Sequence, residues 1–157
     1  MNSIKLNQLL IVEDSEAKLA SILAAVSKII PIDKIKCSRS VKSALKALKQ
    51  EDFSIIIADM SLPTYDVKAG ERGGTPRPFG GIEIFDHLQR AGKKTSVAVV
   101  SSYPAIVEGN TSLTLHALSE KLAIDYPDNF CGYVFFDSTY LIWEVELLEI
   151  IRIFFKS

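Results

Sequence analysis

Short, wholly apolar runs alternate along this chain with longer segments of helical periodicity. The run over 9–12 is followed by helical spacing over 15–29, and further apolar runs cover 53–58 and 97–100. Unbroken apolar strands between helices are typical of a parallel sheet that is buried on both faces. We therefore predict an α/β fold, a five-stranded doubly wound parallel sheet. The other predicted elements are strands over 35–37 and 132–136 and helices over 40–50, 113–124 and 139–155.

The length of 157 residues fits one domain, which we predict to span 1–157. A segment rich in glycine, proline and charge, about 61–80, is predicted to be a long exposed loop. The net charge of −1 gives no general electrostatic reason to expect nucleic acid or an anionic membrane as partner. No apolar run reaches the roughly 18 residues of a spanning helix, so we expect a cytoplasmic protein.

Acidic and hydroxyl side chains follow three of the predicted strands at their carboxyl ends. Glu13 and Asp14 follow the first strand, Asp59 follows the third, and Ser101 follows the fourth. In doubly wound sheets ligands bind outside the carboxyl ends of the strands, so these side chains should share one crevice. Carboxylates this close repel each other unless a cation lies among them, and Mg²⁺ prefers such oxygen ligands. An aspartate in such a crevice that faces a phosphoryl donor can act as a nucleophile and form an acyl phosphate.

Several motifs resemble those of the receiver domains of two-component response regulators. The segment 11–15 resembles their acidic-pair motif, and 55–63 resembles their phosphoacceptor strand with its following proline. The segments 81–84 and 99–102 resemble the start of their third helix and their switch-hydroxyl strand, and Tyr133 stands where their switch aromatic is found. The resemblance covers essentially the whole chain and implies the flavodoxin-like receiver fold.

The resemblance also implies roles for individual residues. Asp59 would be the phosphoacceptor, Ser101 would contact the phosphoryl group, and Ser101 and Tyr133 would form the conformational switch. The implied Mg²⁺ ligands are Glu13, Asp14, Asp59 and the main-chain carbonyl of Ser61.

The chain departs from the family at the end of the fifth predicted strand. Receivers usually place a lysine there that reaches the phosphoryl oxygens, whereas this chain has Phe136, and Asp137 replaces the following proline. The loop after Asp59 carries three basic residues, for which two explanations are open. In the first, one of these basic residues folds back towards Asp59 and replaces the missing charge. In the second, all three only keep an exposed loop soluble. These residues are Lys68, Arg72 and Arg77.

We therefore expect a single-domain response regulator receiver that accepts a phosphoryl group on Asp59 with Mg²⁺. Such a protein is a phosphoprotein of two-component phosphorelay signal transduction, and we do not expect it to be an enzyme. The expected partners are a sensor histidine kinase or phosphotransfer protein and a downstream protein target, not nucleic acid or a membrane. The intact acids favour this function, whereas Phe136 and Asp137 favour the alternative, a pseudo-receiver that binds partners without cycling phosphate. A phosphohydrolase is disfavoured because Ser61, not a second acid, lies two residues after Asp59.

The last helix is apolar over more of its circumference than packing on a sheet requires. A helix on a sheet needs an apolar stripe of roughly 100°, and the apolar residues over 141–154 spread wider than that. We therefore predict that the face formed by 113–124, the fifth strand and the last helix binds a protein, with a homodimer through the last helix as one form.

Overall fold

The predicted five-stranded, doubly wound parallel sheet is confirmed by the computed structural model, which describes residues 7–66 and 76–155. Its strand order is β2-β1-β3-β4-β7, and all four pairings are parallel. The elements in chain order are β1 (Leu9–Val12), α1 (Glu16–Val26), a 3₁₀ turn (Ile32–Lys34), β2 (Ile35–Ser38), α2 (Val41–Gln50), β3 (Ile55–Ala58), α3 (Ile82–Arg90), β4 (Ser96–Ser101), β5 (Ala105–Glu108), β6 (Thr111–Thr114), α4 (Leu115–Asp125), β7 (Phe130–Phe135) and α5 (Ile142–Phe154).

Helices cover both faces of this sheet and create two separate apolar layers. The helices α1 and α5 pack on one face, where Ile11 and Ile57 meet Trp143 in one buried cluster. The helices α2, α3 and α4 pack on the other face, where Leu10 and Ile56 belong to the second cluster. Because successive strand residues point to opposite faces, both sets of side chains are buried, which explains the unbroken apolar strands. Within the described ranges, no helix has the length and hydrophobicity needed to cross a membrane.

A two-stranded hairpin precedes α4 and was not predicted from the sequence. The strands β5 and β6 pair antiparallel, with Glu108 opposite Thr111 and Gly109-Asn110 as the turn between them. Gly109 has a φ of 58°, a conformation that glycine adopts without strain. Thr114 then caps α4, since its hydroxyl accepts the Ala117 N–H at 3.0 Å. The helix predicted from 113 therefore begins at 115, and the fifth predicted strand is β7.

The segment after β3, predicted as a long exposed loop over 61–80, is packed at both of its ends. Leu62 is fully buried and pairs with Arg77 through two backbone hydrogen bonds of 3.0 and 3.2 Å. Gly81 lies so close to the third strand that a Cβ atom there would be 2.7 Å from the Asp59 carbonyl oxygen. The segment therefore leaves the sheet and returns to it next to Asp59. Lys68 and Arg72 lie outside the described residues.

Candidate functional site: an acidic cluster with a buried lysine

Three carboxylates meet at the carboxyl edge of the sheet. Glu13, Asp14 and Asp59 each place an oxygen within 4.8 Å of the others'. The strands β1 and β3 are parallel neighbours in which Val12 lies opposite Ala58, so the residues that follow them are adjacent. Glu13 and Asp59 are buried, whereas Asp14 is partly exposed. The predicted convergence of these acids is therefore present in the structure.

The carboxylate of Asp59 is held in one orientation by the turn that follows it. Its Oδ1 atom accepts the backbone N–H of Met60 at 2.7 Å and that of Ser61 at 3.3 Å. Its Oδ2 atom accepts a hydrogen bond from the ammonium group of Lys18. The turn thus places Ser61 next to Asp59, while the predicted role of the Ser61 carbonyl in metal binding stays a prediction.

Lys18 is the member of this cluster that sequence reasoning missed. Its side chain is only 5% exposed, and its Nζ atom lies 3.0 Å from Asp59 Oδ2 and 2.7 Å from Glu13 Oε1. The same ammonium donates to the Val100 carbonyl, near the end of β4, at 2.8 Å. One lysine from α1 therefore contacts two acids of the cluster and the strand that leads to Ser101.

A signal for Lys18 is nevertheless present in the sequence. The buried residues of α1 are Lys18, Ile22, Ala25 and Val26, so the lysine lies one turn before Ile22 on the face that packs against the sheet. Side chains in a helix point toward its N-terminus, which for α1 lies at the carboxyl edge of the sheet. The apolar spacing over 15–29 includes Leu19, which is only partly buried, and so it gives no weight to the lysine beside it.

The basic residues of the loop do not account for the missing charge as far as the structure describes them. Arg77 pairs with Glu83, at 3.0 and 3.1 Å between guanidinium nitrogens and carboxylate oxygens, so the hypothesis that it folds back to Asp59 is wrong for this residue. Phe136 occupies the expected lysine position and is buried against Trp143, with 4.7 Å between ring centroids. The end of β7 is therefore apolar, and the nearby charge comes from α1.

The two predicted switch residues lie on neighbouring strands. Ser101 is buried at the end of β4, and its hydroxyl donates to the Tyr103 carbonyl and accepts the Tyr103 N–H, both at 3.1 Å. Tyr133 lies on β7 opposite Val99 and is partly exposed. The two residues therefore lie on neighbouring strands, and their switching role stays a prediction.

Burial dominates the electrostatics of Glu13 and raises its pKa from 4.5 to about 7. The positive charge of Lys18 opposes this effect, while the negative charge of Asp59 adds to it. Lys18 Nζ lies 2.7 Å from Glu13 Oε1, so this buried oxygen is paired with the ammonium group. A carboxylate oxygen has two lone pairs and can accept a second ligand beside that ammonium.

The cluster therefore fits a hard divalent cation. Its possible ligand atoms are all carboxylate oxygens, and one from each of the three acids lies within 4.8 Å of the others. An ion with several retained waters and one or two carboxylate ligands is typical of Mg²⁺ in proteins. Glu13, Asp14 and Asp59 are the side chains that would hold it.

We expect Glu13→Gln to flatten the pH dependence of stability in metal-free solution. Because the folded-state pKa is raised, the folded protein keeps a proton between pH 4.5 and about 7 that the unfolded chain has lost. The free energy of unfolding should therefore fall as pH rises through this window, by on the order of 2–3 kcal/mol from this group. Urea unfolding with EDTA from about pH 5 to 8 measures the slope, with the exposed Glu149→Gln as control. An unchanged slope in Glu13→Gln would contradict this assignment.

Three curated relatives are similar to this chain over much of its length. An uncharacterized protein, y4jR, of Sinorhizobium fredii is 30% identical over 140 residues, covering 88% of this chain and 92% of the relative. The Detocs response regulatory protein DtcB of Enterobacter cloacae is 24% identical over 144 residues, covering 90% of this chain and 96% of that protein. DtcB of Vibrio alginolyticus is 32% identical over 100 residues, covering 62% of this chain and 67% of that protein. No family model matches the chain.

Solved structures of receiver domains share the fold. The signal receiver domain of an HD domain-containing protein from Pseudomonas fluorescens matches with a TM-score of 0.61 at 17% identity, covering 97% of this chain and 88% of that one. The phosphorylated cyanobacterial phytochrome response regulator RcpA matches with a TM-score of 0.62 at 16% identity, covering 94% of this chain and 93% of that one. At such identities the likeness establishes the fold alone.

Proposed function

This chain belongs to the receiver-domain family of response regulators, and from that premise we propose that it accepts a phosphoryl group on Asp59 and signals through contacts with other proteins. The observation that carries the proposal is the orientation of Asp59 within the acidic cluster. Its carboxylate is buried, is fixed by two backbone N–H groups, and lies within 4.8 Å of Glu13 and Asp14. An acid whose task was only to cap a helix or turn would not need two further acids beside it.

The proposed step transfers a phosphoryl group from an acyl phosphate or a phosphoramidate donor to the Asp59 carboxylate, and it needs no oxidant or reductant. A carboxylate oxygen of Asp59 attacks the phosphorus, the bond from phosphorus to the donor breaks, and the donor leaves with the electron pair. With acetyl phosphate the leaving group is acetate. Mg²⁺, when bound by Glu13, Asp14, Asp59 and the Ser61 carbonyl, would supply positive charge to the transferring group. Ser101 would contact a phosphoryl oxygen.

Intact-protein mass spectrometry after incubation with acetyl phosphate and MgCl₂ tests the proposal. We expect the mass of one phosphoryl group to be added, and to be lost again in hydroxylamine, which cleaves acyl phosphates. The physiological donor would be a histidine kinase or phosphotransfer protein. The response regulatory proteins among the relatives support signalling of this kind. An absence of any adduct, with acetyl phosphate and with a phosphorylated histidine donor, would overturn the proposal.

The second candidate is a pseudo-receiver that binds partners without cycling phosphate. The observation in its favour is the apolar end of β7, where Phe136 packs on Trp143 instead of a lysine reaching the site. The same mass experiment separates the two functions, since a pseudo-receiver takes no phosphoryl group while its fold and partners stay intact.

The outer face of α5 is the surface through which we expect a partner, including a second copy of this chain, to bind. Leu141, Ile142, Val145 and Ile153 are all more than half exposed. Covering them would contribute about 25 cal/mol for each Å² of apolar surface removed from water. We expect a dimer at micromolar concentration in the presence of beryllofluoride, and Val145→Lys should weaken it about tenfold or more.

Sedimentation velocity with and without beryllofluoride measures this association. The exposed Glu149 on the same helix offers a matched control, since Glu149→Lys adds the same side chain without removing an apolar one. A monomer in both states would leave another protein as the partner of this face and would rule out the dimer.

A further inference from the structure

We propose that Lys18 of α1 supplies the cation that binds the phosphoryl group on Asp59, the task that the family assigns to a lysine at the end of the last strand. The proposal rests on the proposed function, because it assumes that Asp59 is the acceptor. It adds a residue from a different element of the fold.

The ammonium group of Lys18 lies close to the ends of the strands that surround Asp59. It is 3.0 Å from Asp59 Oδ2, at the end of β3, and 2.8 Å from the Val100 carbonyl, near the end of β4. Phe136 is tied to the end of β4 by its N–H, which donates to the Ser101 carbonyl at 2.7 Å. The Lys18 Nζ atom is 5.9 Å from the centroid of the Phe136 ring. The charge therefore lies between the ends of β3, β4 and β7, although it comes from α1.

The side chain of Lys18 is suited to follow the charge of Asp59 as that charge changes. A phosphoryl group brings a charge of about −1.5 to −2 and three acceptor oxygens to the atom that the ammonium already contacts. Lysine carries three donors on a flexible four-carbon stem, so a small displacement moves its charge from the carboxylate to the phosphoryl group. The buried ammonium keeps an anionic partner in both states and never becomes an isolated buried charge, which would be costly.

In the same position, the Lys18 ammonium would compete with a metal ion for the carboxylates. Its ammonium contacts Glu13 and Asp59, two of the three acids that would hold a divalent cation. Like charges that share these ligands repel each other, so removal of the lysine should strengthen metal binding. It should at the same time slow phosphoryl uptake at saturating metal. A lysine that only stabilised the folded acids would give the first effect without the second.

The test measures both quantities in Lys18→Met, in the double variant Lys18→Met/Phe136→Lys and in the wild type. For Lys18→Met we expect Mn²⁺ to bind about tenfold more tightly by water proton relaxation. We expect acetyl phosphate to label Asp59 about 10- to 100-fold more slowly at saturating Mg²⁺, since one charge-assisted hydrogen bond is lost. The double variant returns a lysine to the end of β7 and should recover most of the rate. Lys46→Met, which removes an exposed lysine of α2, should match the wild type.

Each result bears on the proposal. Equal labelling rates in wild type, Lys18→Met and Lys18→Gln would overturn it while leaving the proposed function intact. No labelling of the wild type would overturn the proposed function and this inference together. Faster labelling of Lys18→Met than of the wild type would show that Lys18 blocks the site and would overturn this inference alone. Thermal melting is recorded for every variant. Where Lys18→Met does not fold, Lys18→Gln, which keeps a hydrogen-bond donor for the Val100 carbonyl, decides the question.

Discussion

Asp59→Asn should abolish the phosphoryl adduct, the largest functional effect that we expect from any single substitution. A carboxamide has no anionic oxygen to attack phosphorus, and its shape is otherwise nearly that of the carboxylate. Because the Met60 and Ser61 N–H groups need only an acceptor oxygen, the turn should keep its conformation. Intact mass after incubation with acetyl phosphate and Mg²⁺ measures the adduct, and circular dichroism shows whether the fold is kept.

A matched control comes from the opposite end of the same strand. Asp52 precedes β3, and its side chain is 90% exposed. Asp52→Asn should therefore be labelled as fast as the wild type. An adduct that persists in Asp59→Asn would place the acceptor on another residue. Its loss in hydroxylamine would then point to Glu13 or Asp14, and its survival to a hydroxyl such as that of Ser101.

Most of the sheet and the acidic cluster were predictable because both depend on local pattern and on topology. An apolar run such as 9–12 is explained by burial on both faces, and parallel strands bring their carboxyl ends to one edge. That rule alone places Glu13, Asp14 and Asp59 together. The hairpin was missed although its turn, Gly109-Asn110, is a recognised hairpin signal, because strands of four residues with exposed side chains show little apolar periodicity.

The partner of the acids could not be predicted because it depends on where a long side chain ends. Lys18 and Arg77 are both basic and both belong to segments next to the site, yet one reaches Asp59 and the other pairs with Glu83. Periodicity gives the face of a helix only to within one position. For α1 that uncertainty separates a half-buried Leu19 from the buried Lys18 beside it. The position of the Lys18 ammonium depends on how α1 packs on the sheet, and no local sequence pattern encodes that packing.

Trp143→Ala should lower the free energy of unfolding by about 3–5 kcal/mol, the largest effect on stability that we expect. Trp143 is only 4% exposed and packs between α5 and the sheet in the cluster that also holds α1. Its ring lies 4.7 Å from that of Phe136 at an angle of 49°, a tilted pair worth about 0.5–1.5 kcal/mol beyond the area it buries. Urea unfolding followed by circular dichroism measures the change, since the substitution removes the only tryptophan.

Ile153→Ala is the matched control, because Ile153 lies on the same helix with 63% of its surface exposed and should change stability by no more than about 0.5 kcal/mol. The difference between the two losses of stability tests which face of α5 packs against the sheet. Phe136 lies between Trp143 and the Lys18 ammonium, so loosening this ring should also slow labelling of Asp59 in protein that is still folded. Equal losses for Trp143→Ala and Ile153→Ala would mean that α5 does not pack as described.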